Sequence, residues 1–109
     1  MRISGYRAMW LFVMFDLPVK TKRQRKDASD FRKALKEDGF WMLQYSVYAR
    51  PCPSLENLQV HFARIKKEIP PLGEVRIFQI TDKQFERMTV ILGNIPKKSE
   101  KIPRQLEFF

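Results

Sequence analysis

Residues 9 to 16 read Met-Trp-Leu-Phe-Val-Met-Phe-Asp and run directly into Leu17-Pro18. Seven consecutive apolar residues are too few to span a bilayer. A proline two residues after the acid stops both a helix and an inner strand, so the run is read as a buried strand. Its parity puts Trp10, Phe12, Met14 and Asp16 on one side and Met9, Leu11, Val13 and Phe15 on the other. Both sides are apolar, so both faces of the sheet need cover. Asp16 is the one acidic residue of twelve fused to the end of such a run. A carboxylate at a strand exit suits catalytic or metal-binding chemistry, and it suits the start of a turn equally well.

A chain of 109 residues fits one domain with a core of its own. The single cysteine, Cys52, leaves no disulfide framework and no paired-cysteine metal site, which fits a reducing setting. The opening Met1-Arg2-Ile3-Ser4-Gly5-Tyr6 lacks the apolar core of a signal peptide, and no run reaches the length of a membrane span. A soluble, cytoplasmic protein is therefore expected. Lys and Arg number 21 against 12 Asp and Glu, a net charge of +9. That excess selects a polyanionic partner, nucleic acid first and an anionic membrane surface second, over a merely soluble basic protein.

Beyond Pro18, five cations fall within seven residues: Lys20, Lys22, Arg23, Arg25 and Lys26. Thr21 and Gln24 have capping-box spacing, so a helix is expected from Lys22, with Ala28, Phe31, Ala34 and Leu35 as its stripe and Gly39 as its stop. Cations in the first turns oppose the helix dipole, and a bound phosphate would compensate that cost; a solvated charged face is the competing reading. Phe40 to Arg50 is aromatic and β-branched and reads as extended, either one strand or two hinged at Tyr45-Ser46, ended by Pro51 and Pro53. Ser54 caps a second helix through Leu55, Leu58, Phe62, Ile65 and Ile69, closed by Pro70-Pro71. His61, the only histidine, is read as a helix-edge residue. Gly73 opens a strand over Val75 to Ile80, Thr81 and Gln84 repeat the capping box for a short helix, and Met88 to Leu92 reads as a last strand. Residues 1–93 thus form the domain. Residues 94–109 read as a basic, proline-marked tail with an apolar tip, Leu106, Phe108 and Phe109, that docks on a partner.

If the middle segment is a hairpin, the order is that of an α+β, ferredoxin-like fold, βαββαβ plus a short extra C-terminal strand. Both crossover helices then cover one face, leaving the other bare. The simplest cover for the bare face is a second copy of the chain, a homodimer with sheets face to face. Two Asp16 carboxylates would then approach across the two-fold axis, an arrangement that suits Mg²⁺ or Mn²⁺.

Phe-Val-Met-Phe-Asp-Leu-Pro-Val at 12–19, Leu43-Gln44-Tyr45-Ser46-Val47-Tyr48 after Gly39, and Val75-Arg76-Ile77-Phe78-Gln79-Ile80 resemble the CRISPR-associated Cas-two family. The Asp-Leu-Pro-Val and Leu-Glu-Phe-Phe forms resemble the branch found with RNA-guided single-effector systems. The resemblance implies a ferredoxin-like dimer, a split of the middle segment at Tyr45-Ser46, and a last strand that extends the other subunit's sheet. It implies that Asp16 is the metal ligand and Ser46 the serine of the strand–strand turn. It further implies a role in spacer acquisition, as a bridge between integrase dimers with duplex DNA laid across it, and metal-dependent endonuclease activity on RNA or DNA. The family's phosphate-binding arginines fall in a gapped region, so Arg23 and Arg25 carry over only as a basic cluster.

Three functions follow: a DNA-binding scaffold of the adaptation machinery, a phosphodiesterase built on Asp16, and a free-standing toxin-like ribonuclease or RNA-binding module of the same fold. The chain offers no HxxxH, no DxD and no histidine placed as a base. A nuclease would therefore depend on a dimer-built site with metal-activated water.

Overall fold

The computed structural model describes residues 8–93 and 95–97. The apolar run becomes strand β1 (Met9–Asp16), followed by helix α1 (Lys22–Glu37), β2 (Trp41–Gln44), β3 (Val47–Cys52), α2 (Leu55–Lys66), β4 (Glu74–Thr81), the short helix α3 (Asp82–Glu86), β5 (Val90–Leu92) and β6 (Ile95–Lys97). Strands β1 to β4 form one antiparallel sheet in the order β2-β3-β1-β4, so β1 lies inside it, as its two apolar faces require. The βαββαβ order is the ferredoxin-like layout. The middle segment is a hairpin turning at Tyr45-Ser46.

Pro51 lies inside β3 rather than ending it. The last pairing of β2 toward this end is Trp41 with Ala49, so beyond Ala49 only β1 flanks β3 and the other edge is free, a position that tolerates proline. Helix α2 stops at Lys66, ahead of the Pro70-Pro71 pair, and Ile69 packs on the core from the following loop.

Both expected capping boxes are present. Thr21 accepts from the Gln24 amide while the Gln24 side chain accepts from the Thr21 amide, and Thr81 with Gln84 repeats the arrangement at α3. Helix α1 buries Ala28, Phe31 and Leu35, the latter two against Leu11, Val13 and Phe15 of β1, and α2 adds Leu58 and Ile65.

The opposite face is not wholly bare. Helix α3 folds back over it, and Phe85 stacks on Trp10 with ring centroids 3.9 Å apart, leaving both fully buried. Trp41 meets Trp10 edge-on at 5.4 Å, and Phe12 stacks on Phe78 at 4.9 Å. The chain thus covers the half around Trp10 by itself. Met14 and Phe78 stay 37% and 41% exposed, so only the half nearest Asp16 lacks cover.

The chain beyond β5 departs from the linker expected from Asn94. Ile95–Lys97 is a strand paired antiparallel with Val90–Leu92 in a separate two-stranded sheet. The tail tip, Leu106, Phe108 and Phe109, lies outside the described residues.

Candidate active site and nucleic-acid interface

Asp16 ends β1 on the side of Met14, the uncovered side. Its cross-strand partner on β4 is Glu74, and Met14 pairs with Arg76. Like charges directly opposite on a sheet repel. Arg76 relieves part of this by donating from both Nε and Nη2 to the Glu74 carboxylate, each at 3.3 Å. The Asp16 carboxylate is exposed and has no hydrogen-bond or ion-pair partner among the described residues. It borders a cleft of about 210 Å³ lined by Met14, Phe15, Asp16, Ser46, Val47, Glu74 and Arg76. Gly73 permits this closeness: its φ is +104°, and a Cβ there would stand 2.9 Å from the Asp16 carbonyl oxygen and 2.7 Å from Leu17.

The far wall is the β2–β3 turn. Arg32 of α1 donates to the Tyr45 carbonyl and, at 3.1 Å, to Ser46 Oγ. Its guanidinium carbon lies 3.7 Å from the Tyr45 ring centroid and 4.9 Å from that of Phe15. The Phe15 amide donates to the Ser46 carbonyl at 3.1 Å, tying the turn to the end of β1. Ser46 therefore shapes the cleft through its turn.

The basic cluster stands at the start of α1. Arg23 pairs with Asp27 at 3.2 Å and Lys26 with Asp30 at 2.8 Å. The hydrogen bond from Lys26 holds the Asp30 carboxyl below its ordinary range. Arg25 turns back and donates to the carbonyls of Val19 and Lys20 at 3.1 and 3.0 Å. Among the described residues, only the Lys20 and Lys22 side chains of the five are without an acceptor. All five are exposed, so the cluster is a cationic surface whose members are partly braced.

Among the described residues no three His, Cys, Asp or Glu side chains gather as a metal site. One chain offers Asp16 as a free carboxylate in a cleft roomy enough for waters. This donor set fits a hard, oxygen-seeking cation only as a minimal site, completed by a second carboxylate or by substrate phosphate.

His61 is not the helix-edge residue expected from its position. It is 5% exposed, and its Nδ1 lies 2.8 Å from Asp38 Oδ2. Arg64 donates to the other Asp38 oxygen at 3.2 Å, and Arg50 donates to the Asp38 carbonyl at 2.5 Å. Asp38 sits at the C-cap of α1, 23 residues from His61, a separation that periodicity within one helix cannot see. Arg32 was equally hidden. Nothing in its sequence spacing assigned it a role, and only the packing of α1 on the sheet brings it to Tyr45.

Residues 9–88 match the family model described as CRISPR associated protein Cas2. The chain belongs to the Cas2 family. A Flavobacterium psychrophilum relative, named CRISPR-associated endoribonuclease Cas2, is 47% identical over 108 residues, covering 99% of this chain and 94% of the relative. A relative of the same name from Parvibaculum lavamentivorans is 48% identical over 101 residues, covering 93% of this chain and all of its own length. One from Paracidovorax avenae is 45% identical over 107 residues, covering 98% and 99%. The Cas2 match spans β1 through α3, the elements that build the Asp16 cleft. Among the described residues no helix is long and apolar enough to cross a membrane.

Proposed function

We propose that this Cas2-family chain works as a homodimer that binds duplex DNA and bridges integrase dimers during spacer acquisition. Its Asp16 cleft adds a metal-dependent endonuclease activity that is separable from that role. The observation carrying the nuclease part is Asp16 itself, an exposed carboxylate with no partner among the described residues, facing Glu74 at the mouth of a cleft. Mg²⁺ or Mn²⁺ bound there would supply Lewis-acid polarisation of a phosphate and an activated water. Asp16 would hold the cation, since the Glu74 carboxylate opposite it is already engaged by Arg76 and leaves Asp16 as the free ligand. Arg32 and Ser46 keep the opposite wall of the cleft in place. The relatives' shared name, endoribonuclease, makes RNA the first substrate to try.

The dimer is supported by the uncovered half-face at Met14 and Phe78 and by Ile91 and Leu92, which β5 presents outward. Joining two copies there brings the two Asp16 residues toward a common axis. Phosphate contacts fall to Lys20, Lys22, Arg23, Arg25 and Lys26, with little base reading and a steep dependence on salt. Leu106, Phe108 and Phe109 would dock on the integrase or the neighbouring subunit.

Asp16→Asn keeps the shape and removes the charge, so it separates the two parts. Cleavage of RNA or duplex DNA should require Mg²⁺ or Mn²⁺ in the parent and disappear in the variant. Duplex binding, dimerisation and spacer capture should persist. Metal-independent cleavage that survives in the variant would place the chemistry elsewhere. Loss of capture with DNA binding intact would make Asp16 essential to the main role.

A further inference from the structure

Tyr45 is 74% exposed, the most exposed of the large apolar side chains among the described residues. It occupies the β2–β3 turn immediately before Ser46 and Val47, which line the Asp16 cleft. One face of its ring is covered by the Arg32 guanidinium at 3.7 Å, and the other is open to solvent. The same guanidinium lies over Phe15, on the helix side of the sheet, so the ring leans toward that side and away from the face proposed to join a second copy.

Anchoring the turn does not require this ring. Arg32 already bonds the Tyr45 carbonyl and Ser46 Oγ, and Ser46 already accepts from Phe15. A ring so exposed adds little apolar burial of its own. What the stack does provide is a rigid aromatic plate, held in one orientation by a cation and flat toward water. Such a plate is the unit by which proteins hold unpaired bases, because each base has a π-face and a neighbouring arginine adds charge.

We infer that Tyr45, backed by Arg32, is a stacking site for one unpaired nucleobase of a single-stranded nucleic acid, on the helix side of the turn whose Ser46 and Val47 line the Asp16 cleft. A duplex keeps its bases stacked on one another, so a ring on a turn reaches them only at a single-stranded segment or end. The sugar–phosphate on either side of that base has a path along α1. Arg25, Arg32 and Lys36 stand at i, i+7 and i+11, one stripe of the helix leading from the basic cluster past Tyr45. This inference rests on the nucleic-acid-binding reading above and adds to it one residue that would hold a base.

The test is binding of labelled single-stranded RNA and DNA oligonucleotides to the full chain, followed by anisotropy in EDTA so that nothing is cut. A matched duplex and an oligonucleotide with one abasic position serve as controls. Tyr45→Ala should weaken single-strand binding roughly 5- to 160-fold, the range of one lost base stack. Tyr45→Phe should bind like the parent, duplex binding should not change, and thermal melting of the variants should match the parent because the ring is exposed. The abasic oligonucleotide should bind the parent more weakly and show no further loss with Tyr45→Ala. Tyr45→Trp should report the stack directly, its emission quenched by the normal strand and not by the abasic one at the contacted position. Equal binding of parent and Tyr45→Ala to the base-bearing strand overturns the site while leaving duplex binding standing. Failure to bind any nucleic acid overturns both this inference and the reading on which it rests. Equal loss for RNA and DNA is the expected result, since a ring face reads the base and not the sugar.

Discussion

The two faces of the sheet are built from alternate residues of the same strands, yet the chain finishes them differently. On one, α1 and α2 bury Leu11, Val13 and Phe15 under Phe31, Leu35, Leu58 and Ile65, with no large apolar side chain of β1 left exposed. On the other, the five residues of α3 cover Trp10 and leave Met14 and Phe78 partly in water. The difference tracks helix length. Crossovers of 16 and 12 residues run most of the length of an eight-residue strand, whereas α3 is little more than a turn. The sealed face stabilises the single chain, and the half-sealed face keeps surface free beside the acidic cleft. Candidate chemistry lies at the seam, where β1 leaves cover on both sides.

The largest effect should come from a cavity on the sealed face. Phe31→Ala is expected to cost about 3–5 kcal/mol in urea unfolding. Phe78→Ser on the half-open face should change the unfolding of an isolated chain by less than about 1 kcal/mol. Sedimentation should nevertheless show the parent at twice the chain mass and the Phe78→Ser variant as a monomer. Comparable destabilisation by both substitutions, with no change in sedimentation, would make the faces equivalent and break the comparison.

A smaller effect belongs to the polar clasp on the sealed side. His61 and Arg64 of α2 hold both oxygens of Asp38 at the end of α1. His61→Ala leaves a carboxylate that is only 13% exposed without its buried partner, for an expected loss of about 1–3 kcal/mol. The double variant with Asp38→Ala should lose less than the sum of the two single changes, since each removes the same contact. Full additivity would show that the clasp is not an energetic unit.

The smallest effect concerns Cys52, buried in the sealed core, where burial pushes the thiol from 9.0 up to about 11. The folded state therefore holds this proton more tightly than the unfolded chain. Its contribution is complete below pH 9 and is lost as the pH rises toward 11. The stability difference between the parent and Cys52→Ala should accordingly be flat to pH 9 and shift against the parent above it. Thiol labelling at pH 8 should be slow in the folded protein and fast in urea. Fast labelling without denaturant would show that this face opens as readily as the other.

Much of this was legible in the residues. Thr21 with Gln24 and Thr81 with Gln84 announced two helix starts, because a capping box is a contact between residues three apart. The double-sided apolar run announced an inner strand, and parity placed Asp16 on the side of Trp10, Phe12 and Met14, because strand alternation fixes which way each side chain points. The turn at Tyr45-Ser46 stayed open on periodicity, since a hairpin and a bent strand alternate alike until a partner strand is known. Family resemblance supplied that split, and the pairing of β2 with β3 bears it out.

Local rules determined the elements, their caps and faces, and the cationic start of α1, all of which depend on residues within about one helical turn or one strand of each other. Tertiary structure alone decided that α3 would fold back to cap Trp10 and that His61 would be buried on Asp38. It also placed Glu74 opposite Asp16 and set Arg32 under the Tyr45 ring. Each of these joins residues far apart in the chain: 75 separate Trp10 from Phe85, 58 separate Asp16 from Glu74, and 13 separate Arg32 from Tyr45. Such contacts are chosen by which surfaces still need cover after the strands have paired. That need does not exist until the sheet is formed, so no spacing in the sequence can record it.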